Sequence, residues 1–335
     1  MRAHLLLKIG IVLVLLGTVS FGGFAAWVYV ELGRPGPLEQ ETIVVVPLGG
    51  GVKSIAYILA ANGVVRNAQI FEFGARTMDM VGDVAGNLRA GEFAFPARIS
   101  ASDVIGILQA GKTVQRRLTV AEGLSSSQIV AQLNAADGLD GFVMITPPEG
   151  SLLPETYYFS YGDSRAVIIK RMQQAMRDAL QEIWADRQYG LPIETPEQAV
   201  ILASIVEKET GLAAERPRVA AVFINRLNRG MRLQSDPTVA YGLRETGGSL
   251  GRPLSKADLK APTPYNTYVI KGLPPGPIAN PGLDALLAVL HPDVTQDLYF
   301  VADGSGGHAF ATTLDEHNKN VRRWRKLQAE QNDGS

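Results

Sequence analysis

The chain opens with one long apolar run and then breaks into short elements separated by turn residues. After MRAHLLLK, residues Ile9 to Val30 read IGIVLVLLGTVSFGGFAAWVYV without a charge, long enough as a helix to cross a hydrocarbon core of roughly 30 Å. Arg2 and Lys8 precede the run, and Trp27 and Tyr29 stand near its far end. The positive-inside tendency therefore predicts a cytoplasmic N-terminus and an exported remainder. Gly23 and Ala25 offer a competing site for signal-peptide cleavage. The apolar run continues past them through Trp27, Val28 and Val30, which favours an uncleaved anchor.

Residues 31–41, beginning ELGRPGPLEQ, read as a linker with little to bury. Beyond them the pattern alternates. Thr42 to Val46 predicts a β-branched strand, Val52 to Ala61 a helix ending near Asn62 and Gly63, and Ala68 to Asp79 a second helix. Glu92 to Phe95 predicts another strand, and Ala101 to Leu108 a helix closed by Gly111. This small α+β pattern holds no evident nucleophile or carboxylate pair and suits a binding or positioning module. A further helical pattern covers Ala166 to Ile183. The C-terminal portion is rich in RLQSDPTVAYG, APTPYNTY, GLPPGPIANPG and GGHAF. Repeated Asn, Tyr, Pro and Gly clusters around one helical segment are what a groove built from loops would leave in a sequence.

Composition narrows the chemistry. The formal net charge of -1 over 335 residues gives no electrostatic footprint for nucleic acid. The absence of cysteine removes disulfides, thiol catalysis and thiolate metal sites. The four histidines, His4, His291, His308 and His317, show no His-Glu-x-x-His spacing, which argues against a zinc enzyme. Two motifs are decoys. LGGGVKS, Leu48 to Ser54, lacks the spacing of a phosphate loop because Val52 precedes the lysine. GGSLG, Gly247 to Gly251, matches a nucleophile elbow around Ser249, but Arg252 and Pro253 follow where a helix should start.

The most informative stretch is ASIVEKET, Ala203 to Thr210. Thr195 as N-cap, Pro196 at the first position and Gln198 at the capping-box position start its helix, and Gly211 is expected to end it. At about 100° per residue, Glu209 shares the apolar face of Leu202, Ile205 and Val206, while Glu207 points nearly opposite, with Val200, Ala203 and Ser204. Burial and the negative end of the helix both raise the pKa of Glu209. Such a carboxyl keeps its proton near neutral pH, as a general acid must. The Thr210 hydroxyl is a candidate to orient it. The competing reading pairs Glu209 with a Lys or Arg of the next helix, Arg216 to Arg229. Glu207 reads as structural, with Arg226 a candidate partner.

Taken together, ASIVEKET, ERPRVAAVFINRLNRGMRLQSDPTVAYG, LSKADL, PYNTY, GLPPGPIANPG and YFVADGSGGHAF resemble the endolytic murein transglycosylases, the YceG-like proteins. The resemblance implies an α+β chain laid out as a cytoplasmic start (1–8), a transmembrane helix (9–30), the linker, a small LysM-like α+β module (42–113) and a larger mixed α+β catalytic domain (114–330). The last comprises a connecting part (114–190) and a core (191–330), followed by a flexible tail (331–335). It implies a single-pass protein of the bacterial inner membrane with its catalytic domain in the periplasm. It also implies nonhydrolytic cleavage of the β-1,4 bond between N-acetylmuramic acid and N-acetylglucosamine in peptidoglycan, leaving 1,6-anhydro ends. Glu209 falls on the catalytic position, a single acid-base glutamate calls for no metal and no cofactor, and His308 and His317 are candidates for the cleft wall. A role in limiting nascent strand length beside peptidoglycan synthases is implied as well. Gln234, Asp236, Tyr265, Asn266, Tyr268 and Asn280 match motif positions suited to sugar contacts, amides for acetamido groups and rings for pyranose faces. Asp236 and Asn280, each before a proline, read equally well as N-caps. EGSLLPETYYF, Glu149 to Phe159, departs from the aromatic-rich family segment through Ser151, Leu152 and Glu155. A glycan-binding protein without turnover, a hydrolytic muramidase and a serine hydrolase using Ser249 are the competing functions.

Overall fold

A computed structural model describes residues 2–81, 88–243 and 250–333. Ser249 lies outside the described residues. The fold is mixed α+β, and the chain divides into two compact units, Met1–Arg116 with Tyr158–Asp163, and Arg117–Tyr157 with Ser164–Ser335.

The first unit holds α1 (Arg2–Gly33), β1 (Thr42–Val46), α2 (Val52–Ala61), α3 (Ala68–Val81), β2 (Gly91–Phe95) and α4 (Ala101–Ala110). The segment Leu15–Gly33 of α1 is long and apolar enough to cross a membrane. The helix runs past the expected end at Val30, and its last turns pack on α3. Phe24 meets Phe73 edge-on at 5.7 Å, and Leu32 lies where a Cβ on Gly74 would come within 2.6 Å of it. Residues 31–41 are held rather than loose. Leu38 is buried, Gly36 N donates to Ile99 O at 2.9 Å, and a Cβ on Gly36 would meet that oxygen at 2.2 Å. β1 and β2 pair antiparallel with Thr42 opposite Phe95 and Val46 opposite Gly91. The period of two turns Val44, Val46, Phe93 and Phe95 inward onto Leu59, Phe71, Ile105 and Leu108. Gly111 takes the left-handed conformation that closes α4.

The second unit is mainly helical. It holds α5 (Ser126–Ala135), α6 (Arg165–Ala185), α7 (Pro196–Glu209), α8 (Arg216–Asn228), α9 (Asp236–Gly242), α10 (Leu283–Leu290) and α11 (Leu314–Asp333), with the hairpin strands β5 (Tyr299–Ala302) and β6 (His308–Ala311). Strands β3 (Arg116–Thr119) and β4 (Thr156–Phe159), in which the chain passes from one unit to the other, pair with each other.

Helix α7 is the axis of the second unit. Thr195 caps it by accepting from Gln198 N, and Pro196 opens it. The Gln198 side chain reaches back to Glu194 N at 2.7 Å. Ala199, Val200, Leu202, Ala203, Ser204, Ile205 and Val206 are all buried, so the helix is covered on every side rather than along one stripe. Val219, Ala220, Phe223 and Ile224 of α8 and Ala285, Leu286, Val289 and Leu290 of α10 belong to the same core. Each large aliphatic side chain so buried contributes roughly 1.5–3 kcal/mol. Ser204, the polar member, donates to Ile201 O and accepts from Ile278 N. The C-cap is Thr210 in an extended conformation. Gly211 does not take the left-handed shape expected of a terminating glycine.

Candidate active site

Glu209 is the last residue of α7, and its carboxyl opens into a cavity of about 370 Å³. Five elements supply the walls. Phe223 and Arg226 come from α8, Leu233, Gln234 and Asp236 from the turn into α9, Tyr268 from the loop after it, Tyr299 and Phe300 from β5, and Leu314 and His317 from α11. The turn into α9 is made by Gln234, which adopts φ 53°, a left-handed conformation uncommon outside glycine. That turn leaves Gln234 and Asp236 exposed and Ser235 buried, and Ser235 Oγ donates to Glu209 Oε1 at 2.5 Å.

Burial pushes the Glu209 carboxyl up to about 7, and the neighbouring Asp236 adds to the rise. The Ser235 hydroxyl, His308 and Arg226 act the other way without cancelling it. No ion pair among the described residues involves Glu209. The nearby basic side chains are committed elsewhere. Arg226 is buried, donates from Nε to Leu298 O at 2.7 Å and from Nη1 to Leu233 O, and stands over the Tyr299 ring at 5.4 Å. His308 is held by Glu215 through Nδ1 at 2.7 Å. Tyr268 donates its hydroxyl to Asp236 Oδ1 at 2.6 Å, and burial together with that carboxylate holds the phenol well above its ordinary range. His317 stacks on Tyr299 at 5.2 Å. Burial, then Arg226, pulls its imidazole below the ordinary value.

The structure gathers Glu209, Gln234, Asp236, Tyr268 and Arg226 around one cavity and puts the other expected residues elsewhere. Asn266 is wholly buried. Its Nδ2 donates to Asp258 O, Leu259 O and Ala261 O, and its Oδ1 accepts from Tyr268 N at 3.0 Å. Asn280 is also wholly buried. It donates to Leu124 O, Ser126 Oγ and Glu149 Oε1 and accepts from Leu152 N. Both asparagines spend their amides on the protein's own loops. Tyr265 packs its ring on Tyr241 at 4.8 Å and is not among the cavity walls. The expected N-caps shift too, because Ser235 and Gly282 occupy the N-cap positions of α9 and α10, neither with a side-chain cap hydrogen bond.

Two further expectations are corrected. Glu207 pairs with Arg216, not Arg226, at 3.4 Å, and its Oε2 accepts from Gly282 N at 3.0 Å. Arg226 instead faces the Glu209 cavity. Arg216 also bonds the exposed Glu122 and Asp284, so Glu207 is built into a charge cluster, buried at Glu207 and Arg216 and open to solvent at its rim, that ties the end of α7 to α8 and to the start of α10. Thr210 makes no hydrogen bond to Glu209 among the described residues; its hydroxyl accepts from Leu212 N at 3.1 Å. Sequence reasoning missed Ser235 and Tyr299. The signal for Ser235 was its position between Gln234 and Asp236, before an Asp-Pro helix start. Tyr299 carried no signal beyond a strand aromatic.

A carboxyl raised by burial and free of any ion pair among the described residues thus lies against an aromatic and polar cavity on a helical scaffold. The chain belongs to the YceG-like family, whose model matches residues 44–323. It is 31% identical over 318 residues to the endolytic murein transglycosylase of Bacillus subtilis, covering 84% of this chain and 86% of that protein. It is 28% identical to the endolytic murein transglycosylase of Streptococcus pneumoniae, covering 92% of this chain but 63% of the longer relative. A crystal structure of a YceG-like protein from Listeria monocytogenes superposes with a TM-score of 0.50 at 29% identity, covering 84% of this chain and 99% of that one.

Proposed function

We propose that this chain is a membrane-anchored lytic transglycosylase that cleaves peptidoglycan strands endolytically between N-acetylmuramic acid and N-acetylglucosamine. The observation that carries the reading is the state of Glu209, open to the cavity, without an ion pair and holding its proton up to about pH 7. A carboxyl of that kind protonates the glycosidic oxygen as the C1–O bond breaks. The carboxylate it leaves then accepts the proton of the muramoyl C6 hydroxyl while that oxygen bonds C1, closing the 1,6-anhydro ring. Proton count and charge return to the start without water. Proximity within one sugar replaces the second carboxylate that a hydrolase uses. The names of the similar proteins support the same reaction.

In this reading Gln234, Asp236 and Tyr268 bind the sugars, α1 anchors the chain with its N-terminus in the cytoplasm, and residues 42–113, with β1, α2, α3, β2 and α4, form a LysM-like module. The nascent strand beside its synthases is the substrate.

One observation favours a second reading. Asp236 shares the cavity with Glu209, and two carboxyls in one cleft is the hydrolase pattern. Digestion of intact glycan strands followed by mass spectrometry separates the two, since hydrolysis leaves ends heavier by one water. Anhydro ends that vanish with Glu209→Gln and survive Asp236→Asn support the lytic scheme. Reducing ends, or turnover by Glu209→Gln, would overturn it. Binding of strands without turnover by the native protein would leave a glycan-binding protein.

A further inference from the structure

A carboxylic acid has two oxygens, and an acid that must act twice at one bond gains from always presenting the same one. Among the described residues, Ser235 Oγ makes the one hydrogen bond to the Glu209 side chain, at 2.5 Å to Oε1. A serine hydroxyl has one hydrogen to give. With Oε1 occupied as acceptor, the carboxyl proton resides on Oε2. We propose that Ser235 is the positioning residue of the reaction, fixing Oε2 as the atom that gives the proton to the leaving oxygen and takes one back from the C6 hydroxyl. The inference rests on the acid-base reading of Glu209 given above.

The surroundings of Ser235 are built for this. It is the N-cap of α9, yet its side chain caps nothing, although a capping serine ordinarily accepts from a helix N–H and contributes about 1 kcal/mol. Its backbone is pinned at both ends, N donating to Thr267 Oγ1 at 2.9 Å and O accepting from Thr238 Oγ1 at 2.7 Å. The two threonine hydroxyls are 2.8 Å apart, and both residues are wholly buried. Gln234 N donates to Thr267 O at 3.2 Å, which holds the left-handed residue in a conformation that a non-glycine side chain keeps only when its surroundings demand it. A turn under strain, a cap that does not cap and two buried threonines share one consequence, the direction of a single O–H bond.

The hydroxyl also takes part in setting the working pH. The charged and titratable groups that act on Glu209 are Arg226 from α8, Asp236 from α9, Tyr268 from the following loop and His308 from β6. Ser235 adds a donor that favours the ionised form. Removing it displaces the loss of activity toward higher pH, because the acid then holds its proton longer.

The test compares the full-length native protein in detergent with Ser235→Ala, Ser235→Thr and Glu209→Gln on intact glycan strands. Ser235→Ala is expected to lose roughly 10- to 100-fold in kcat, as for one hydrogen bond to a charged group, with KM within about twofold. Its basic limb in kcat/KM should lie at higher pH, and Ser235→Thr should restore most of the rate. A Ser235→Ala variant within about twofold of native kcat, or one whose basic limb stays in place, overturns the proposal. A Ser235→Ala protein that melts early moves the test to Ser235→Cys, which fills the same space with a much weaker donor and must show the same loss and displacement; native turnover there overturns the proposal. A dead Glu209→Gln beside an unimpaired Ser235→Ala removes this inference alone. An active Glu209→Gln removes the acid-base reading and this inference with it.

Discussion

Replacing Glu209 by Gln should stabilise the protein, and by an amount that depends on pH. In the folded chain the Glu209 carboxyl is pushed from 4.5 to about 7, chiefly by burial. Below pH 4.5 the folded and unfolded chains both hold the proton, and the site costs nothing. As pH rises from 4.5 to 7 the unfolded chain releases its proton while the folded chain keeps it, so stability falls. Above 7 both forms are ionised and the penalty is constant. The displacement from 4.5 to about 7 corresponds to about 3 kcal/mol. Glutamine fits the same space, can still accept from Ser235 and has no proton to lose. All other titrating groups are common to both proteins and cancel in the difference. The stability advantage of Glu209→Gln over the native chain should therefore grow by about 3 kcal/mol between pH 4.5 and 8, which moves the difference in melting temperature by several degrees. Thermal unfolding of both proteins across that range, monitored by tryptophan fluorescence in one detergent, measures it. A difference that stays flat from pH 5 to 8 would mean that the carboxyl ionises as freely in the fold as in water. The acid role would then lose its physical basis.

The same group predicts that kcat/KM falls as pH rises through about 7, since the ionised carboxylate has no proton to donate; a rate that holds to pH 9 would assign the acid to another group. Arg216→Leu leaves the Glu207 carboxylate, 5% exposed, buried without its cation, and should cost about 3–5 kcal/mol in chemical denaturation; a loss under about 1 kcal/mol would show that the cluster is effectively solvated. Gly36→Ala drives a Cβ to 2.2 Å from Ile99 O and should destabilise the first unit by about 2 kcal/mol or more, read as faster hydrogen exchange in β1 and α2, whereas native exchange rates would show that residues 31–41 move aside freely.

What the sequence made legible follows the range of the forces involved. Thr42 to Val46 and Val52 to Ala61 are the observed bounds of β1 and α2, because alternation, β-branching and turn residues act within a few positions of one another. The start of α7 was legible for the same reason, since the Thr195 cap and Pro196 are local. The raised pKa of Glu209 could be anticipated from the end of a helix because burial and helix position both bear on a carboxyl wherever the rest of the chain lies. Asparagines are different. Asn266 and Asn280 sit in the tyrosine- and proline-rich loops that a sugar groove would have, and they satisfy loop carbonyls instead. An amide that bonds a sugar and one that bonds its own loop leave the same letters in a sequence.

The pairing of the two glutamates with two arginines shows where local reading stops. Glu207 and Glu209 lie on nearly opposite sides of α7, and Arg216 and Arg226 lie ten residues apart on α8, so either match was compatible with helix periodicity. The choice is made by how α8 packs against α7, through Val219, Ala220, Phe223 and Ile224 meeting the α7 core, and such packing is decided by side chains distant in sequence. In the observed arrangement Arg216 neutralises the inner glutamate and ties it to Glu122 and Asp284. Arg226 spends its guanidinium on Leu298 O and Leu233 O. Glu209 is thereby left beside a cation that does not pair with it. Had the arginines been matched the other way, an ion pair at Glu209 would have lowered its pKa and taken its proton away at neutral pH. The same core contacts that stabilise the second unit therefore also keep Glu209 without an ion pair, although burial raises the Glu207 carboxyl as well.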